Sequence, residues 1–174
     1  TVDDTAGESQ HGNATLLPDG DTVLFSILSA GEEPRLARLS LATREVTRFT
    51  IVGSDPWFVP TGHVVYVVSD GTLRALPFDL DRSEFTSSNP VPVLENLHAG
   101  NGGFTGNFGL AANGSLVYLT GNSSIGTATL AWVDRGGLQE PLDLESSDYA
   151  SPRVSPDGSL VAVSLTSPDS SGRD

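Results

Sequence analysis

A short turn phrase recurs four times along the chain, and that recurrence limits the possible folds more than any other feature. It reads Pro18-Asp19-Gly20-Asp21-Thr22-Val23-Leu24-Phe25, then Pro60-Thr61-Gly62-His63-Val64-Val65-Tyr66. It returns as Ala112-Asn113-Gly114-Ser115-Leu116-Val117-Tyr118 and as Pro156-Asp157-Gly158-Ser159-Leu160-Val161-Ala162. Proline presets φ at the first corner, Asp or Asn tolerates the second, and glycine accepts the positive φ that follows. The apolar, β-branched run behind each turn is too short for a useful helix and fits a strand buried on both faces. Glycines 20, 62, 114 and 158 are 42, 52 and 44 residues apart, a spacing that belongs to repeats of four-stranded units. The chain therefore reads as all-β, a β-propeller of four-stranded antiparallel blades.

The strands can be placed around these turns. In the first unit Asn13 to Leu17 reads as the inner strand, Asp21 to Leu28 as the second, Arg35 to Leu41 as the third and Glu45 to Phe49 as the outer one. The second unit offers Trp57 to Val59, His63 to Val68, Thr72 to Asp79 after an Asp70-Gly71 hairpin turn, and Pro92 to Leu94 at an edge, where proline costs no ladder bond. The third offers Phe104 to Leu110, Leu116 to Leu119, Leu130 to Asp134 and Leu138 to Leu142; the fourth offers Tyr149 to Val154 and Leu160 to Leu165. Blade units thus fall at about 11–50, 55–95, 104–143 and an incomplete 149–174, giving about three and a half blades in a single partial propeller domain over 1–174. Propellers close with roughly 4 to 8 blades, and an open arc exposes apolar sheet faces. The expectation is either continuation in a longer chain beyond Asp174 or a homodimer closing one ring.

Composition agrees with this class. The chain is 37% hydrophobic and 18% charged, and its 19 glycines and 11 prolines interrupt it every few residues. No run of 18 apolar residues occurs, so no membrane insertion is expected within this segment. The absence of any methionine points to a processed product or a piece of something longer. The net charge is −13 and all nine basic residues are arginine, which argues against nucleic acid as a partner. Without cysteine there is no disulfide, thiolate chemistry or Cys-based zinc site.

Catalytic constellations are missing. No Gly-x-Ser-x-Gly elbow occurs, and only His11, His63 and His98 are available as imidazole bases. His63 follows a turn glycine and reads as a surface side chain, while His11 and His98 lie on segments leading into inner strands. No histidine spacing suits zinc, and the acidic turns lack the full calcium-loop pattern, so no metal and no cofactor is expected. Asn101-Gly102-Gly103 lacks the Lys-Ser/Thr and the helix of a phosphate loop. Trp57, Phe78, Tyr118 and Trp132 fall within strand patterns and read as packing between blades.

Several segments together resemble one family. Gln10-His11-Gly12 ahead of Leu17-Pro18-Asp19-Gly20, the run Gly71-Thr72-Leu73-Arg74-Ala75-Leu76-Pro77-Phe78-Asp79-Leu80, and Leu130-Ala131-Trp132-Val133-Asp134-Arg135-Gly136-Gly137 are the relevant stretches. With Ser155-Pro156-Asp157-Gly158 they resemble TolB-like, WD-type bacterial propellers, and in particular the C-terminal propeller of bacterial serine/threonine protein kinases. The resemblance spans about Glu8 to the last residue. It implies a sensor or interaction platform outside the cytoplasmic membrane, periplasmic or at the cell surface, and it brings no catalytic residues; the kinase motifs themselves are absent.

The functional expectation is a non-catalytic module for protein or small-ligand binding. The alternative is the substrate-filtering propeller of a prolyl-oligopeptidase-type serine peptidase whose catalytic domain lies elsewhere. In propellers the loops from an outer strand to the next inner strand gather around the channel. Here those segments carry His11, Asp55, His98, Asn101, Asp148 and Tyr149, which are the candidate ligand or partner contacts.

Overall fold

The computed structural model describes residues 2–100, 105–111, 115–119, 130–133, 138–145, 147, 149–155 and 157–165. Chain contacts divide it into two compact units, residues 1–95 with 101–105 and residues 96–100 with 106–174. The four- and five-stranded sheets and the β16–β17 pair are antiparallel, and the described helical content is one 3-10 turn, Asp4–Ala6.

The first unit holds two sheets. One is β1 (Glu8–Leu16), β2 (Thr22–Ser29), β3 (Arg35–Ser40) and β4 (Val46–Val52), hydrogen-bonded in that order. The repeated turn sets its register. Gly20, at φ +71°, donates its N–H to the Leu17 carbonyl at 3.0 Å, and the Asp19 carboxylate accepts from the Asp21 and Thr22 amides at 3.0 and 2.9 Å. Leu16 then faces Val23 across the ladder, and residues of β2 alternate between two faces. Leu24 points to a cluster with Leu17, Val64 and Phe78, while Phe25 and Ile27 join Ala37 in a separate cluster.

The second sheet comprises β5 (Ser54–Val59), β6 (His63–Val67), β7 (Leu73–Asp79), β8 (Glu84–Phe85) and β9 (Val91–Leu94). β8 and β9 both pair with β7, β8 at Phe78–Asp79 and β9 at Leu73–Ala75. The Pro92 strand is thus an edge strand, as expected, but the outer strand is in two pieces. Between this sheet and the first, Leu36, Tyr66, Val68 and Leu76 form a further core with Phe49, Ile51 and Phe85 against it. Phe49 and Phe85 meet edge to face at 4.9 Å, and Phe78 and Phe85 at 5.0 Å. Each such aromatic pair adds about 0.5–1.5 kcal/mol to the area it buries. A buried hydroxyl pair, Thr22 with Ser83 at 2.9 Å, also joins the two sheets.

Two short strands, β10 (Ala99–Gly100) and β11 (Thr105–Gly106), precede the second unit's main sheet. That sheet is β12 (Phe108–Leu110), β13 (Leu116–Leu119), β14 (Leu130–Val133) and β15 (Gln139–Pro141) in order. A two-stranded sheet of β16 (Tyr149–Val154) and β17 (Val161–Leu165) follows. Val117, Leu119, Leu130 and Tyr149 form the core between them, with Trp132, Val161 and Val163 packed on it. At Gly109 the inner strands come so close that a Cβ would lie 2.9 Å from the Pro152 carbonyl oxygen, so only glycine fits there.

Strand ends differ from the sequence reading in specific places. β1 starts at Glu8 rather than Asn13, β4 runs on to Val52, and β5 begins at Ser54. The reason in β1 and β5 is a bulge within the inner strand, which hides the alternation that a strand normally shows. β8 was not foreseen. The Gly114 turn, Asp134 and Pro156 lie outside the described residues.

Candidate functional site

Three inner strands share one local device. β1, β5 and β16 each carry a register shift, and within each shift sits a non-glycine residue at positive φ: Asn13 at 53°, Asp55 at 53° and Ser151 at 50°. Holding an L-residue there is costly, so the surroundings must compensate. Two of these residues donate their amide to a side chain elsewhere in the same unit. Asp55 N–H reaches Ser26 Oγ at 3.0 Å, and Ser151 N–H reaches Asn107 Oδ1 at 3.1 Å.

The sequence candidates sit around these bulges. In the first unit Asp55 is buried, and its Oδ1 accepts the Trp57 indole N–H at 3.1 Å. His11, on β1, places Nε2 2.8 Å from Glu8 Oε2 and rests its ring 5.0 Å from that of Phe25. The Glu8 side chain is only 3% exposed, yet it is bound on every side. Arg48 Nε donates to Oε1 at 2.7 Å and the Asp3 amide donates to Oε2 at 2.9 Å. Burial would raise this carboxyl, but Arg48, the Asp3 amide and His11 outweigh it and hold it at about 2. Donating this hydrogen bond to Glu8 raises the Arg48 guanidinium, against the effect of burial.

In the second unit Asn107 is the centre of a buried polar chain. Its backbone N–H donates to the His98 carbonyl at 3.1 Å and its carbonyl accepts from Leu119 N–H at 2.9 Å. Because Asn107 Oδ1 accepts from Ser151, its Nδ2 must donate, and it lies 2.8 Å from His98 Nδ1. The neutral His98 ring therefore accepts at Nδ1 and carries its proton on Nε2. Tyr149, two residues before Ser151, is buried and donates its hydroxyl to the Glu145 carbonyl at 2.6 Å. His98 and Tyr149 thus belong to one polar neighbourhood through Asn107 and β16, and His11 and Asp55 lie on inner strands of the first unit. Asn101 and Asp148 lie outside the described residues.

Sequence reasoning passed over Glu8, Ser26, Asn107 and Ser151. Glu8 and Arg48 are 40 positions apart, and no local pattern connects them. His63 hydrogen-bonds its own turn, its Nδ1 lying 3.0 Å from the Thr61 carbonyl. Among the described residues no three His, Asp or Glu converge as metal ligands, and no helix is long and apolar enough to cross a membrane.

No family model matches the chain, and no curated protein matches it. Solved structures do. TolB from Acinetobacter baumannii superposes over 94% of this chain with a TM-score of 0.62 and 21% identity. The β-propeller domain of Cps50 (Swd1) from Myceliophteria thermophila covers 93% with the same TM-score and 14% identity. A puromycin hydrolase covers 92%, again at 0.62, with 19% identity. The fold is a β-propeller's. Two of the sheets are four-stranded blades, that of β5–β9 is a blade with its outer strand in two pieces, a further one is represented by the two described strands β16 and β17, and the likeness to TolB makes the propeller TolB-like in fold. The chain spans 39% of the TolB chain, 49% of the Cps50 chain and 26% of the hydrolase, less than half of each.

Proposed function

We propose that the chain is a non-catalytic propeller module that binds a protein or small ligand, as the sensor or interaction region of a larger bacterial protein outside the cytoplasmic membrane. The observation that carries this reading is the set of bulged inner strands. Each bulge places an L-residue at positive φ, two of the three with an amide hydrogen bond to a side chain elsewhere in the unit, and His11, Asp55, His98 and Tyr149 stand within two residues of a bulge or hydrogen-bond to its partner. Strain held in place by its surroundings is a mark of positions that hold side chains ready for a ligand. The resemblance to the C-terminal propellers of bacterial serine/threonine kinases supports the sensor role and the location. Asn101 and Asp148 stay in the candidate set by their place on the connecting segments.

The second reading, a substrate-filtering propeller of a serine peptidase, is favoured by the likeness to a puromycin hydrolase. The reading frame on either side separates the two. A kinase domain upstream supports the first, and a Gly-x-Ser-x-Gly elbow downstream supports the second. Binding itself is tested by saturation-transfer NMR of a peptide and metabolite library on the full chain. The expected result is a ligand whose contact is lost in His98→Ala. Ligands that all bind His98→Ala and Asp55→Asn unchanged would remove these residues from the site.

A further inference from the structure

The rim of the first unit carries a second surface that the reading above does not use. The outer strand of the second sheet is split, with β8 on one half of β7 and β9 on the other, and the chain between them runs along the rim. Opposite it runs β4, the last strand of the first sheet. Between β4 and the segment at β8 lies an open groove of about 530 Å³, with Phe49, Ile51 and Phe85 as its apolar lining and Ser87 and Ser88 as hydroxyl lining. Phe49 and Phe85 are only partly buried although they pack on two of the unit's core clusters, so apolar surface is left for a visitor.

Two further observations say what kind of visitor suits it. The first is backbone. Ser40 N–H donates to the Glu45 carbonyl at 3.0 Å, so in the antiparallel alternation Val46 and Arg48 turn their peptide groups away from β3, toward the open edge. An extended segment can add there. The second is charge. Among the described residues Glu84 is the only ionisable group lining the groove, and it is exposed. Arg48 is already engaged by Glu8 and Asp3, and the whole chain carries −13. A cationic segment is attracted from a distance and an acidic one is repelled.

We propose that this groove receives an extended basic peptide of a partner protein, with one apolar side chain resting on Phe49 and Phe85 and Lys or Arg beside it facing Glu84. The split outer strand is what opens the groove: the rim segment at Ser87 and Ser88 leaves the ladder and lines it instead.

The test is an amide NMR titration of the full 174-residue chain with the synthetic peptide acetyl-Lys-Val-Lys-Phe-Lys-Val-Lys-amide. Saturable shifts are expected at residues 47–51 and 84–88. They should weaken about fivefold in Glu84→Lys, as loss of one exposed charge pair implies. Ser88→Trp, which fills the groove from an exposed position, should abolish them. If Glu84→Lys loses its native spectrum, Ser88→Trp still decides the matter. The proposal is overturned if the peptide with Glu in place of Lys binds equally well, if the shifts map elsewhere, or if none saturates by about 1 mM.

Discussion

The two units solve one packing problem with opposite chemistry. In both, a bulged inner strand turns the amide of a positive-φ residue toward a side chain elsewhere in the unit. In the first unit the acceptor is the small Ser26, and the bulge residue Asp55 brings the long side chain, bound to Trp57. In the second the bulge residue Ser151 is small, and the acceptor Asn107 brings the long side chain, bound to His98. The surrounding cores differ likewise. Four phenylalanines, Phe49, Phe58, Phe78 and Phe85, meet edge to face in the first unit, while the second relies on Val117, Leu119, Leu130 and Tyr149. The lesson is that backbone geometry recurs where residue types do not. The constraint is one satisfied amide per bulge, and any acceptor of the right reach can meet it.

The sharpest way to break the comparison is at Asn107. Asn107→Leu keeps the branched outline, with larger methyl groups, but strands the Ser151 amide and leaves His98 Nδ1 without its donor. A loss of about 2–4 kcal/mol is expected in denaturant unfolding, with the Ser151 amide exchanging far faster than in the parent. A loss below about 1 kcal/mol would mean the second unit does not depend on its latch. Ser26→Ala should cost less, about 1–2 kcal/mol, because it removes one hydroxyl and leaves Asp55 held by Trp57. Equal costs at Ser26 and Asn107 would erase the asymmetry drawn above.

The smallest effect is expected from acid. Glu8 sits at about 2 against an ordinary 4.5, so its stabilisation is complete above about 4.5 and is lost as pH falls through about 2. Arg48 is nearly half exposed, and screening reduces the contribution to about 1 kcal/mol. Glu8→Gln should therefore flatten the acid limb of the first unit's stability curve, followed through His11 and Phe25 resonances, and leave the second unit's unchanged. An unchanged acid limb would show that the clasp of Asp3, Glu8, His11 and Arg48 adds nothing.

Much of the architecture was legible because it is written locally. The Pro-Asp-Gly turns announce themselves, and the strands behind them follow: β13 and β16 have the ends the sequence implies, and β6 differs by one residue. What escaped was non-local. Ser9-Gln10-His11-Gly12 shows no alternation, and those residues are in a strand because β2 offers them a ladder and Glu8 is pinned by Arg48. β8 is two residues long, flanked by Ser83 and Thr86, and its pairing with Phe78 and Asp79 leaves no periodic trace. The candidate site divides the same way. His11, His98 and Tyr149 could be singled out from their place before or within inner strands, but Ser26 and Asn107 resemble any other polar residue until the fold brings a bulge amide to them.

The interrupted outer strand also has a bearing on how such a chain drifts over evolutionary time. Between Gly62 and Gly114 the repeat is about ten residues longer than its neighbours. Much of that stretch is chain at the periphery, where β8 and β9 share one neighbour and the segment between them leaves the ladder after Thr86. Insertions and deletions can accumulate there while the hub strands keep their spacing, so an ancestry traced by fixed period would lose its place at the rim and recover it at the next turn.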